Sequence, residues 1–200
     1  MSQSTENITH NRNSHWRFLY HHHRRRKNAS TKQIVAGQLF VVVVSIIAGL
    51  WLDNLKHSII AFTGALVLMP GIVDLSASLA GALGAKIHHL IELNENTIPK
   101  ILVGSIGFSL LLAIMSGGLV GLVGGGIGVL FFDANLLSML ELMILSMIII
   151  GVVIYPFVAL LVIIIRHFGW NPDNLVGPIQ SSLVDVWGII VLALVAGWLK

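Results

Sequence analysis

Between Ile34 and Leu199 the sequence holds five apolar stretches, each long enough to cross a bilayer, and the polar links between them are short. About 20 apolar residues suffice for a helical span. The stretches are Ile34–Leu52, Ser58–Leu90, Ile101–Phe132, Leu136–Ile165 and Val176–Leu199. The links are Asp53–His57, Ile91–Lys100, Asp133–Asn135 and Arg166–Leu175. In hydrocarbon every backbone amide must be satisfied within the chain, so runs of this kind fold as helices. The expected fold is all-α, a polytopic membrane protein of five transmembrane helices. Composition agrees: 56% of residues are hydrophobic and 10% charged, against roughly a quarter charged in soluble domains. With no cysteine, disulfides and thiolate metal sites are excluded.

Residues 1–33 form a polar arm ending in His21-His22-His23-Arg24-Arg25-Arg26-Lys27. Its low hydrophobicity predicts disorder, so we divide the chain into a basic cytoplasmic arm, 1–33, and a five-helix transport domain, 34–200. Three adjacent histidines are not a shaped metal shell. The run reads as an anchor on anionic lipid headgroups, each basic residue contributing about 1 kcal/mol near the surface. Because the excess charge is confined to this arm beside a span, it is no signal for nucleic acid. The first apolar run is too long for a cleaved signal, so an anchor is expected.

Basic residues set the orientation. With the N-terminus inside, the inner segments hold Arg12, Arg17, Arg24, Arg25, Arg26, Lys27, Lys32, Lys86, Lys100 and Arg166, and the outer ones only Lys56 and Lys200. An N-in, C-out topology in the plasma membrane is expected.

The fifth stretch carries the chemistry. Pro178, Ser181, Ser182 and Asp185 fall at i, i+3, i+4 and i+7, one helical face. A carboxylate at membrane depth costs roughly 2.5–3.5 kcal/mol on insertion scales and marks a functional site by default. The serine hydroxyls are candidate oxygen ligands, with back-bonding to the preceding turn as the alternative. A second stripe lies on the second stretch: Pro70, Asp74, Ala77, Ser78 and Gly81. Pro70 has no N–H, so the carbonyl of Leu66 loses its helical partner. Oxygen-only ligands suit hard cations such as Mg²⁺, Ca²⁺ and Mn²⁺. Mg²⁺ in particular is held by one or two carboxylates through retained waters. One carboxylate per chain is too few, and a dimer about the fifth stretch would double it.

The third stretch contains the rows Gly117/Gly121/Gly125 and Gly124/Gly128, a spacing that lets helices approach closely. No Lys or Ser/Thr follows as a phosphate-binding loop requires. The histidines sit in the arm, in the links or, as His88 and His89, at the end of the second stretch, all at or near the membrane surfaces and none placed to pair with a buried serine or to hold zinc at depth. An enzyme is not expected.

The motif Asn171-Pro172-Asp173-Asn174-x-x-x-Pro178-x-x-Ser181-Ser182-x-x-Asp185 resembles the last-helix signature of the MgtE magnesium transporters and their animal solute-carrier relatives. Met69-Pro70-Gly71-Ile72, followed by small residues to Gly84, resembles that family's second-helix motif. The resemblance covers roughly residues 34–200. It implies a homodimer with an ion path on the shared axis, or pairing with a paralogous half-size subunit. It implies Mg²⁺ as the transported ion and Asp185 as its central ligand; the alternatives are transport of another divalent ion coupled to H⁺ or Na⁺, and a non-conducting regulatory or assembly subunit of the membrane. Ser181 would present a backbone carbonyl to the pore, and Gly177 would lie at the pore mouth. Asp173, Asn174, Pro178, Pro70, Asp74 and Ser78 are the expected pore-lining or secondary positions. Asn171 stands where the family usually has Asp, Gly177 lacks a polar side chain, and Ser78 replaces an expected Asn. The large cytoplasmic regulatory domains of bacterial members are not expected here.

Overall fold

The computed structural model describes the backbone of residues 3–60, 62–93 and 98–199, and the side chains of 31–57, 59–60, 62–91 and 102–199. Five helices follow in order: α1 (Gln3–Ile60), α2 (Ala65–Leu93), α3 (Ile98–Phe132), α4 (Leu136–His167) and α5 (Pro172–Trp198). Each is long and apolar enough to cross a membrane. The all-α, five-span expectation holds; several boundaries move.

The first link is a correction. Asp53–His57 is not a loop but the last part of α1. Lys56 Nζ donates to Asp53 Oδ1 at 2.6 Å, and Asn54 Nδ2 to the Leu50 carbonyl at 3.0 Å. These i,i+3 and i,i+4 contacts carry the helix through a polar turn. The chain reverses only at Gly64, whose φ of +84° suits glycine. At the other end α1 is continuous back to Gln3, where composition led us to expect disorder; no proline or glycine interrupts 3–36. The side chains of 1–30, the His21–Lys27 run among them, and those of Lys100 and Lys200 lie outside the described residues.

α3 runs unbroken through its glycines, and they act as close-packing positions. A Cβ at Gly117 would lie 2.9 Å from Met147 Cγ, and one at Gly121 3.1 Å from Met143 Cβ. At Gly125 it would lie 2.9 Å from Leu136 Cδ1. The paired numbers run oppositely, so α3 and α4 are antiparallel. Gly124 meets Leu68 and Gly71 meets Val120 in the same way, setting α2 against α3. α4 is apolar all round, as a central helix must be. It contacts α2, α3 and α5, and buries Met139, Met143, Met147, Ile150, Tyr155 and Val158. Asn135 caps α4, its Oδ1 accepting from Leu137 N at 2.9 Å and Ser138 N at 3.3 Å.

α1 packs along α5 and has little contact elsewhere. Asn174 Nδ2 donates to Gln33 Oε1 at 3.4 Å, and a Cβ on Gly37 would touch Leu175 and Pro178, so these two helices run parallel. α2 and α5 run antiparallel: Gly84 lies against Val176, Gly81 against Gln180 and Val73 against Gly188. One end of the bundle therefore gathers Lys32, Lys86, His88, His89, Arg166 and His167, and the other Asp53, Lys56 and Asp133.

Candidate ion path

The link before α5 is shorter than the sequence implied. Gly169 turns the chain at φ +70°, and Asn171 caps the helix, its Oδ1 accepting from Asp173 N at 3.0 Å. Pro172 opens the first turn, where its missing N–H costs nothing. The helix thus starts four residues before Val176. Asp185 lies about 20 Å along a helix of about 40 Å, at 1.5 Å per residue. It sits at the middle of the helix.

Ser181 Oγ and Ser182 Oγ both donate to the Pro178 carbonyl, at 3.1 and 3.0 Å, the back-bonding alternative. Their proton positions are thereby fixed and lone pairs remain. The two differ in placement: Ser182 is 0% exposed, whereas Ser181 and Asp185 are half-buried. Ser181 shares the accessible side of α5 with Asp185, and Ser182 is packed into the bundle.

On α2 the stripe is as expected: Pro70, Asp74 and Ser78 are exposed, Ala77 and Gly81 half-buried. The antiparallel seam brings the stripes of α2 and α5 side by side, and Asp74 and Asp185 are close enough to interact electrostatically. Two elements distant in sequence thus bring two carboxylates within electrostatic reach of each other. Both lie on helices long and apolar enough to span a membrane, and Ser78, Ser181 and Ser182 add hydroxyl oxygens to the two stripes. Among the described residues no three His, Asp or Glu side chains gather at one point.

At the basic end the first turn of α5 is tied to both neighbours. Asp173 Oδ1 lies 3.8 Å from His88 Nε2 on α2, and Asn174 reaches Gln33 on α1. Asp173 and Asn174 thus join the start of α5 to α2 and α1. Gly177 is exposed with open space where a Cβ would be, and Pro178 rests against Gly37. Sequence reasoning missed three residues. Gln33 was assigned to the arm and His88 to a histidine group at the membrane surface. Gln180 was passed over; it is 5% exposed and donates through Nε2 to the Ala77 carbonyl at 3.1 Å. Its signal was available, an amide amid apolar residues at membrane depth.

Comparison with curated proteins and with solved structures gave no match. A family model does match, that of the MgtE divalent cation transporters, over residues 69–195. The matched region begins beside Pro70, takes in Asp74 and Asp185, and spans α3, α4 and most of α5. With well over half its length in that match, and five helices long and apolar enough to span a membrane, the chain is an integral membrane protein that belongs to the MgtE family of divalent cation transporters.

Proposed function

We propose that the protein moves Mg²⁺ across the membrane along the groove between α2 and α5, with Asp185 as the central ligand. The observation that supports this is the antiparallel packing of α2 and α5, with Gly81 against Gln180 and Val73 against Gly188, which brings Asp74 and Asp185 within electrostatic reach of each other. Two carboxylates that face each other repel, and a divalent cation relieves both charges at once. The oxygen-only setting favours a hard ion, and a hydrated Mg²⁺ can be held by few carboxylates through its waters. Ser181 contributes oxygen one turn before Asp185. Ser182 is set aside as a ligand because it is buried and committed to Pro178.

The groove is open along one side in a single chain. A second copy, or a paralogous half-size subunit, would close it and bring a second Asp185 to the ion. The basic end faces the cytoplasm by the positive-inside rule, which makes the chain N-in, C-out in the plasma membrane.

The test is Mg²⁺ uptake into proteoliposomes with an entrapped dye, wild type beside Asp185→Asn, with Ca²⁺, Mn²⁺ and Co²⁺ as competitors. Uptake by wild type that vanishes in the variant is expected. No uptake by folded wild type would count against transport by this chain alone and turn attention to a partner subunit. Stronger competition by Ca²⁺ than by Mn²⁺ or Co²⁺ would overturn the preference for a small hydrated ion.

A further inference from the structure

The α2–α5 seam is made of small or apolar residues: Val73, Ala77, Gly81 and Gly84 on one side, Val176 and Gly188 on the other. Dispersion contacts of this kind hold two helices close but resist sliding weakly. Gln180 buries an amide in this seam. Gln180 lies over Gly81, where a Cβ would come within 3.0 Å of its Nε2, and donates to the Ala77 carbonyl. A helical carbonyl has a second lone pair to receive it. Gln180 is five residues before Asp185, and Ala77 three after Asp74, so this bond sits about one helical turn along the seam from the carboxylate pair.

The amide is a poor choice for stability alone. Gln180 Oε1 is buried with no hydrogen-bond partner, and a buried unsatisfied acceptor lowers stability. A leucine of similar size would avoid that loss.

We infer that Gln180 is a positioning residue for transport, its amide clamping α5 to α2 across Gly81 and so fixing how Asp185 faces Asp74. The inference rests on Asp185 lying in the ion path, as proposed above. Without the clamp, mutual repulsion lets the carboxylates drift apart along the seam, and ion affinity falls while the bundle persists.

The experiment compares Gln180→Leu, Gln180→Asn and Gly81→Ala with wild type and Asp185→Asn. It measures the concentration dependence of Mg²⁺ uptake in proteoliposomes and thermal unfolding in detergent. Gln180→Leu is expected to unfold at or above the wild-type temperature, yet to raise KM for Mg²⁺ about three- to tenfold, the scale of one lost hydrogen bond. Vmax should change less. Gln180→Asn is too short to reach Ala77 and should shift KM similarly. Gly81→Ala should do so too, by displacing the amide. Wild-type KM in Gln180→Leu, with Asp185→Asn inactive, would overturn the clamp alone. Full uptake by Asp185→Asn would overturn the ion-path reading and the clamp with it. A loss of Vmax that merely tracks a lower yield of folded protein would mark Gln180 as structural and also overturn the inference.

Discussion

At the scale of single residues, the two carboxylates differ in what surrounds them. Asp185 is half-buried at the middle of α5, and Asp74 is exposed on α2. On the proposed path an ion at Asp185 feels Asp74 from the neighbouring helix, so Asp74 adds attraction without being the main ligand. Asp74→Asn is therefore expected to weaken apparent Mg²⁺ affinity by about tenfold, or about 1.4 kcal/mol, while leaving measurable uptake. Ser182→Ala removes a hydroxyl already bonded to Pro178 and packed away from the groove. It should leave affinity within about twofold, a neutral replacement outside the ion's reach. Dye-based uptake curves over a range of Mg²⁺ decide both. A tenfold loss in Ser182→Ala would return that serine to the ligand set. The carboxylates themselves were legible in the sequence, because ionisable groups in apolar runs stand out. Their meeting was not, since it depends on α2 and α5 packing antiparallel with Val73 beside Gly188. Gln180 escaped notice for the same reason: its role exists only once Ala77 and Gly81 lie against it.

Among the helices, the glycine rows of α3 divide into two kinds by what a side chain would meet. Gly121 faces Met143 Cβ at 3.1 Å and the Leu140 Cα at 3.5 Å, whereas Gly118 has nothing within 4 Å. Met143 Cβ is fixed to its backbone and cannot swing away as a flexible side-chain tip can, so Gly121→Ala must push α3 from α4 by a few tenths of an ångström. We expect a cost of about 1–3 kcal/mol, the usual range for overpacking. Gly118→Ala meets no such obstacle and gains helix propensity, up to about 1 kcal/mol. Thermal unfolding of the two variants in the same detergent should separate in opposite directions from wild type. Equal destabilisation would mean that both glycines face partners. The spacing of these rows announced close packing from the sequence alone, and the five spans were equally plain from length and apolarity. The helix ends were harder. Asp53, Asn54, Lys56 and His57 read as a loop because they are polar, although they form an exposed turn held by its own side chains. The true break at Gly64 lies in an apolar run and carries little compositional contrast.

For the whole molecule, the arrangement of α1 leaves a problem that a second chain would solve. α1 lies along α5 with little contact to α2, so among the described residues no helix covers Asp74, Ser78 or the accessible side of Asp185. Carboxylates facing lipid are costly. A symmetric partner would cover the groove and place four carboxylates about one axis, an arrangement that repels itself until a cation enters. On the proposed path, ion binding and dimer stability are then linked: what binds only the assembled state stabilises it. At a free Mg²⁺ concentration of about 100 Kd the gain would be about 2.7 kcal/mol. Adding Mg²⁺ to the purified protein should raise both its unfolding temperature and its dimer fraction by light scattering, and EDTA should reverse both. Asp185→Asn should lose the Mg²⁺ response yet dimerise at least as well in EDTA, because two of the repelling charges are gone. A variant that responds to Mg²⁺ like wild type would place the linked ion elsewhere. A wild type that stays monomeric at saturating Mg²⁺ would require a different chain to cover the groove.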